Sequence, residues 1–213
     1  MTALTVTARF DTACIGLTEG PVMLDGPLAW AYAQRALARR VVLPRLTAAF
    51  APDFPLPLAR HDVAGDWVWC TSRAHVDIAG YTTLEVRRKP ATQAMSRYAR
   101  DRTHHAGLGA YKARDSRVPA ALVRSATWHV AATDRGDLED LLGHVTHIGA
   151  RHRNGLGHVT AWEITESADP DGWRSRPMPT IGHGTSFGVR APYWHSTRHR
   201  PCVDVHTREV TPA

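Results

Sequence analysis

Alternating apolar and polar residues predict a β-strand near the start of the chain. Residues 4–11 alternate in this way, with the period of two that a half-buried strand shows. Residues 122–131 show the same pattern, with Ala126, Trp128 and Val130 on one face. Apolar and β-branched runs predict further strand segments over residues 67–78, 83–87 and 159–164.

Helix-favouring residues after a capping position predict one helix, and an apolar stripe predicts a second. The first covers about residues 24–37, where Asp25 can cap the N-terminus and Pro27 fits the first turn. The second has one apolar stripe, and Gly149 is placed to close it as a C-cap. The stripe consists of Leu138, Leu141, Leu142, Val145 and Ile148.

The order of these elements predicts an α+β fold. Strand, helix, strand, strand, helix and strand follow one another, which is the order of a ferredoxin-like (RRM-like) βαββαβ core. We therefore expect one domain over residues 1–166. Prolines make residues 41–66 an irregular connection. Residues 167–213 are expected to form an irregular C-terminal extension that packs on the core, with one last strand among residues 192–194 and 202–205.

Length and composition indicate a globular protein. The chain has 213 residues, of which 43% are hydrophobic and 22% charged, as is typical of a globular protein able to bury its own core. No apolar run is long enough to span a membrane, and no signal peptide is apparent. Three scattered cysteines do not form a disulfide framework, so a cytoplasmic location is expected.

The basic residues are almost entirely arginine. Lys89 and Lys112 are the only lysines among 26 basic residues, and 20 acidic residues leave a net charge of +6. A GC-rich genome would produce such an arginine excess, and so would a phosphate-binding surface, where guanidinium groups bind two oxygens at once. Composition alone leaves both explanations open.

The positive charge is concentrated in one segment. Residues 87–117 contain nine basic and two acidic residues, a net charge of +7 that exceeds the charge of the whole chain. Tyr98 and Tyr111 lie in the same segment. Arginines neutralise phosphates and aromatic rings stack on bases, so the segment is a candidate nucleic-acid-binding insertion; the alternative is a solvated surface excursion without a ligand.

A glycine-rich loop over residues 149–157 joins the second helix to the last strand. Its glycines permit close backbone approach, and Arg151 and Arg153 are placed to meet phosphates. It lacks the spacing of a P-loop. A plain turn at Asn154-Gly155 with solvated arginines explains the same residues.

Three further patterns indicate chemistry only weakly. The Gly184-Thr-Ser186-Phe-Gly188 segment matches a nucleophile elbow without the strand and helix that an elbow needs. The spacing of His195, His199, Cys202 and His206 resembles part of a zinc site without a defined fourth ligand.

An RNA-cutting activity is the third of these possibilities. His104 and His105 lie inside the basic segment and are the best candidates for general acid and base, although nothing in the sequence pairs them with a partner. A protein-interaction subunit whose arginines reflect only genome composition also stays open.

Together these segments resemble the RAMP superfamily of CRISPR-associated proteins. The resemblance is carried by the first strand, the Leu24-Asp25-Gly26 helix start, the 149–157 loop before the last strand, and the late Ala191-Pro-Tyr-Trp194 and Cys202-Val203 segments. The combination is most similar to the subunit of type IV CRISPR effector complexes that holds the 5′ handle of the CRISPR RNA.

The resemblance implies a non-catalytic RNA-binding role without cofactor or metal. Such subunits cap a filament of backbone RAMP subunits, adjoin the large subunit and lie near target DNA beside the protospacer-adjacent motif, and residues 87–117 would form their thumb-like insertion. In type IV systems a separate endonuclease generally makes the guide RNA, so the resemblance favours a binding role for this chain. The alternative hypothesis is that this chain is itself a CRISPR RNA-processing endoribonuclease of the same superfamily. The expected RNA-binding residues are Gly149, Arg151, His152, Arg153, Asn154, Gly155 and Gly157 in the loop, and Arg87, Arg88, Lys89, Arg97, Tyr98, Arg100, Arg102, Tyr111, Lys112 and Arg114 in the insertion.

Overall fold

A computed structural model describes residues 1–88, 92–98, 107 and 112–204 of the chain. The described part is a mixed α+β structure with few helices. Its elements are β1 (Thr2–Phe10), α1 (Asp25–Ala38), β2 (Arg60–Val63), β3 (Asp66–Trp69), β4 (His75–Arg88), α2 (Thr92–Met95), β5 (Arg114–Ala132), α3 (Arg135–Gly143), β6 (Val159–Glu166), β7 (Met178–Pro179), β8 (Thr185–Gly188) and β9 (His199–Val203).

The main sheet has four strands in the order β4-β5-β1-β6, and each neighbouring pair is antiparallel. The first strand lies inside the sheet because it pairs on both sides: Val6 lies opposite Trp128 of β5 and Ile164 of β6. The long β4 and β5 continue past the other two strands as a hairpin. This topology places the hairpin at one end of the sheet.

The core lies between one face of this sheet and the helices α1 and α3. Alternate residues of β1 and β5 point into it, among them Leu4, Val6 and Trp128, and all three are fully buried. Leu28 of α1 and Leu138 of α3 pack against them. The face predicted for Ala126, Trp128 and Val130 is therefore confirmed as the buried face of β5.

The two predicted helices differ from the structure at their ends. Leu24, not Asp25, precedes the first helical residue, and its side chain makes no capping bond. The second helix ends at Gly143, six residues before the predicted C-cap Gly149. Val145 and Ile148 are buried as predicted, but they reach the core from an irregular segment, so the apolar spacing alone overestimated the helix.

The middle of the chain is more regular than predicted. Residues 60–63 form β2 inside the expected irregular connection, and they pair with β3 through a tight turn at Ala64 and Gly65, both with positive φ. The strand predicted over residues 67–78 is therefore shorter in the structure, because β3 ends at Trp69. A separate strand, β4, begins at His75 and includes the segment expected over residues 83–87.

Residues beyond β6 contain three strands where one late strand in an otherwise irregular extension was expected. A three-stranded antiparallel sheet of order β7-β9-β8 packs with Val68 and Ala131 around a second apolar cluster. The nucleophile-elbow motif lies on β8, and side-chain atoms at Gly184 and Gly188 would approach the carbonyl oxygens of Cys202 and Tyr193 to 2.7 and 2.3 Å. These glycines are needed for close packing, and the strand–turn–helix of an elbow does not form there.

Three buried arginines hold this C-terminal segment in place. Arg176 is fully buried and donates to the carbonyl oxygens of Trp69 (2.7 Å) and Val189 (2.6 Å). Arg190 pairs with Asp66 at 2.7 Å, and Arg198 with Asp53 at 2.8 Å. Part of the arginine excess therefore serves internal hydrogen bonding, a role that composition does not separate from phosphate binding.

The helix start and the late Ala191–Trp194 segment, which carried the resemblance, meet in the structure. Asp25 is fully buried, and its carboxylate accepts hydrogen bonds from the Tyr193 hydroxyl and the Ala191 amide. Burial raises the pKa of Asp25, although the nearby charge of Arg176 and these hydrogen bonds oppose the rise. The carboxylate fixes the approach of the C-terminal segment to α1.

Candidate nucleic-acid interface

The 149–157 loop is held at its base by the backbone of the segment that follows β1. The Ala150 amide donates to the Ile15 carbonyl at 2.8 Å, and the Gly157 amide donates to the Ala13 carbonyl at 2.9 Å. Gly149 has φ +101°, and a side chain there would approach the Ile15 oxygen to 2.5 Å. At Gly157 the corresponding distance to the Ile148 oxygen is 1.9 Å. The close approach that these glycines permit is therefore to the chain's own backbone.

The tip of the loop presents polar side chains to solvent. Residues 152–154 form a single 3-10 turn, flanked by Arg151 and Gly155 in the left-handed region with φ +60° and +78°. Arg151, His152, Arg153 and Asn154 are all exposed. Within the described ranges neither arginine pairs with a carboxylate, so both guanidinium groups are available to an anionic ligand.

A cleft of about 310 Å³ separates this tip from the start of α1. Pro27 and Trp30 line it from the helix, and His147, Gly149 and His152 line it from the loop. Of the loop-tip residues, His152 reaches this cleft, and it lies between Arg151 and Arg153 in the sequence.

Two histidines at the base of the loop form a cluster that the sequence analysis missed. The rings of His147 and His158 lie 5.1 Å apart between centroids, and His158 Nδ1 lies 2.8 Å from an oxygen of Asp11. One signal was present in the sequence: Asp11 follows β1 directly and His158 precedes β6, so antiparallel pairing of these strands brings the two residues together. The pairing of the strands was not itself predicted.

The described part of the basic insertion is the far end of the β4–β5 hairpin with the short helical segment 92–98. Arg87 lies opposite Asp115, and Arg88 opposite Arg114. Arg87 binds Glu85 at 2.8 Å and Asp115 at 3.4 Å, so its charge is partly neutralised already.

Several other described residues of the insertion are open to solvent. Arg97, Lys112 and Arg114 are exposed, and the Tyr98 side chain is 91% exposed. Lys89, Arg100, Arg102 and Tyr111 lie outside the described residues, as do the candidate acid and base His104 and His105. Tyr98 is therefore the described ring able to stack on a base.

One three-residue segment joins the glycine loop to the basic hairpin. The amide and carbonyl of Cys14 bond to Ala121 of β5 at 2.8 and 2.9 Å, while its neighbours Ala13 and Ile15 bind the loop. Both cationic elements therefore lie at the same end of the sheet. From Ala121 the hairpin extends about 23 Å to Arg114, at about 3.3 Å per residue.

The suggested zinc ligands are occupied by other contacts. His195 is buried, with one ring nitrogen 2.8 Å from the Thr47 carbonyl and the other 2.8 Å from the Thr197 hydroxyl. Burial raises the pKa of the Cys202 thiol, which opposes the thiolate that zinc needs. His206 lies outside the described residues, and within the described ranges no three His, Cys, Asp or Glu side chains are grouped to hold a metal ion.

The fold and its cationic end define a small α+β protein with an exposed basic loop and hairpin on one side. Comparison with protein families identifies it further: residues 2–116 and 105–204 match the model of the CRISPR type IV associated protein Csf3. Because these matches cover nearly the whole chain, the protein belongs to the Csf3 family of CRISPR type IV associated proteins. No curated protein matches the chain, and no helix within the described residues is long and apolar enough to cross a membrane.

Proposed function

We propose that this protein is the subunit of a type IV CRISPR RNA-guided effector complex that binds the 5′ handle of the CRISPR RNA. The observation that carries the proposal is the shared anchoring of the glycine loop and the basic hairpin on residues 13–15. Two separate cationic elements fixed at one end of a rigid sheet suit a single-stranded RNA that runs from one to the other. The family membership supports the CRISPR context.

The proposed fold is that of a RAMP protein. The sheet order β4-β5-β1-β6, with α1 and α3 on one face, matches what a ferredoxin-like βαββαβ core requires. In this proposal the β2–β3 hairpin and the C-terminal sheet are additions to that core, and the far end of the β4–β5 hairpin is the thumb-like insertion.

In the proposed mechanism the protein grips the RNA backbone and does not cut it. Arg151 and Arg153 bind handle phosphates, the neighbouring cleft receives one unstacked base, and Tyr98 stacks on another. The subunit caps the filament of backbone subunits, adjoins the large subunit and lies near the target DNA duplex beside the protospacer-adjacent motif. Sequence recognition of the target is left to guide pairing.

Replacing both loop arginines tests this assignment. We expect Arg151→Ala with Arg153→Ala to weaken RNA binding at least about tenfold, because two charge-assisted contacts are lost. The plot of log affinity against log salt concentration should become less steep by roughly 1.4, because each phosphate contact on a single strand releases about 0.7 counterion. The measurement is CRISPR RNA binding across a salt titration, together with the RNA that co-purifies with the assembled complex.

A matched control uses arginines of similar exposure elsewhere on the surface. Arg124→Ala with Arg135→Ala removes the same charge from ion pairs with Asp77 and Glu139, and it should leave the RNA affinity and salt slope close to those of the unaltered protein. Equal RNA retention by both double variants would contradict the proposed role of the loop. Metal-free cleavage of repeat RNA that is lost on His104→Ala, His105→Ala or His158→Ala would contradict the non-catalytic assignment.

A further inference from the structure

An apolar groove of about 510 Å³ lies on the protein between α1, residues 43–56 and residues 191–194. Its lining is dominated by aliphatic, proline and aromatic side chains. Trp30 forms part of one wall and is 49% exposed, and Trp194 forms part of another and is 72% exposed. Leu46 adds a third partly open apolar side chain at 38%. Grouped exposed apolar surface of this kind is typical of a contact site.

The walls of the groove are fixed by buried polar contacts. Asp25 ties the start of α1 to Ala191 and Tyr193. On the other side, the His195 ring binds the Thr47 carbonyl at 2.8 Å, and Arg198 donates to the Ala51 carbonyl at 2.7 Å. The groove is therefore formed before any ligand arrives, which lowers the entropic cost of binding.

The border of the groove carries unbalanced positive charge. Residues 26–52 contain four arginines and no acidic residue. Arg35 is paired with Asp137 and Asp140, but within the described ranges Arg40 and Arg45 have no carboxylate partner, and both are exposed. Arg45 lies between the lining residues Pro44 and Leu46, which puts a free positive charge at the edge of the apolar surface.

The interior of the groove is unsuited to a nucleic-acid backbone. Among the described residues, Asp53 is the only charged side chain in the lining, and it is engaged by Arg190 and Arg198 at 3.1 and 2.8 Å. A phosphate inside would meet aliphatic and proline side chains without a cation to neutralise it, at the desolvation cost of a charge in apolar surroundings. Large apolar side chains of a protein bury well on the same surface.

We propose that this groove docks an apolar segment of another protein subunit of the complex, one that carries large aliphatic or aromatic residues flanked by Asp or Glu. The apolar residues fill the space between Trp30 and Trp194, and an acidic residue pairs with Arg45 at the border. The inference rests on the proposed place in a multi-subunit complex. The groove shares Trp30 with the cleft proposed to receive an RNA base, so the variants that test docking are placed at Trp194 and Arg45, which do not line that cleft.

Site-specific crosslinking in the assembled complex tests the proposal. The photo-crosslinking residue p-benzoylphenylalanine is placed at position 194, or at position 81 as a control, since Tyr81 is equally 72% exposed and lies outside the groove. The chain is co-expressed with the other subunits encoded in its type IV locus, and crosslinked peptides are identified by mass spectrometry. We expect position 194, and not position 81, to crosslink to an acid-flanked apolar segment of a different subunit.

The alternatives give distinct results. A crosslink from position 194 to RNA, to a second copy of this chain or to a segment without acidic residues would overturn the proposal, and so would no crosslink in an assembled complex. Trp194→Asp and Arg45→Glu should each weaken the subunit contact, Trp194→Asp by about tenfold or more, whereas Ile181→Asp at an 86% exposed site should not. RNA content is measured in the same preparations, so failure of RNA binding is separated from failure of docking.

Discussion

Gly157→Ala is expected to destabilise the protein by about 3–5 kcal/mol and to abolish RNA retention. Gly157 has φ +68°, and an added Cβ would lie 1.9 Å from the Ile148 carbonyl oxygen. That oxygen belongs to backbone, so it cannot rotate away as a flexible side chain would, and relief requires the loop to move. The left-handed conformation and the steric overlap each cost about 1–3 kcal/mol.

Gly155→Ala provides the matched control. Its φ is +78°, yet nothing lies within 4 Å of an added Cβ, so only the conformational cost of about 1–2 kcal/mol is expected. Chemical denaturation of both variants measures the difference. Equal losses of unfolding free energy would show that the contact with Ile148 does not hold the loop.

Arg176→Met is expected to cost about 3–5 kcal/mol at neutral pH, because it leaves a buried carboxylate without its nearby cation. Arg176 is fully buried, it donates to the carbonyl oxygens of Trp69 and Val189, and its charge acts on Asp25. Without that charge the pKa of Asp25, which burial already raises, should rise further. The C-terminal sheet should separate from the core at lower denaturant concentrations.

The stability lost in Arg176→Met should depend on pH, because the pKa of Asp25 is raised in the folded protein. A carboxyl whose pKa is higher in the folded state takes up protons on folding, so the free energy of unfolding falls as pH rises above the unfolded value of about 3.9. The cost of Arg176→Met should therefore be smaller near pH 4 than at pH 7. In the presence of Asp25→Asn the cost should no longer depend on pH in this range. If Arg176→Met alone lowers the free energy of unfolding equally at pH 4 and pH 7, Asp25 is not the source of the loss.

The hydrophobic pattern of the sequence correctly predicted the first strand and the buried face of β5. The alternation of β1 and the buried face of β5 were correct because neighbouring side chains on a strand point to opposite faces. The apolar stripe from Leu138 to Ile148 identified core residues correctly but overestimated the helix, since the irregular segment after Gly143 keeps Val145 and Ile148 buried. Burial alone does not distinguish a helical turn from a tight loop.

The candidate site is built by contacts between residues far apart in the chain, which the spacing of residues in the sequence does not show. The sequence indicated that the glycines of the 149–157 loop allow close approach, but the neighbour at Gly149 is Ile15, more than 130 residues earlier in the chain. The contact of Asp11 with His158 and the role of Arg176 likewise depend on strand pairing and on the path of the C-terminal segment. Such partners are set by topology.

The most direct test of the central claim maps the RNA from the loop itself. The probe is an iron chelate on Ala150→Cys, an exposed position next to Arg151 that keeps both loop arginines, and it releases hydroxyl radicals. Cys14, Cys70 and Cys202 are buried, and burial raises the pKa of Cys14 and Cys70 to about 11, so labelling should favour the new thiol. In the assembled complex we expect the CRISPR RNA to be cut within its 5′ handle. Cuts confined to the spacer or the 3′ end, or no cuts above those of the unlabelled complex, would contradict it.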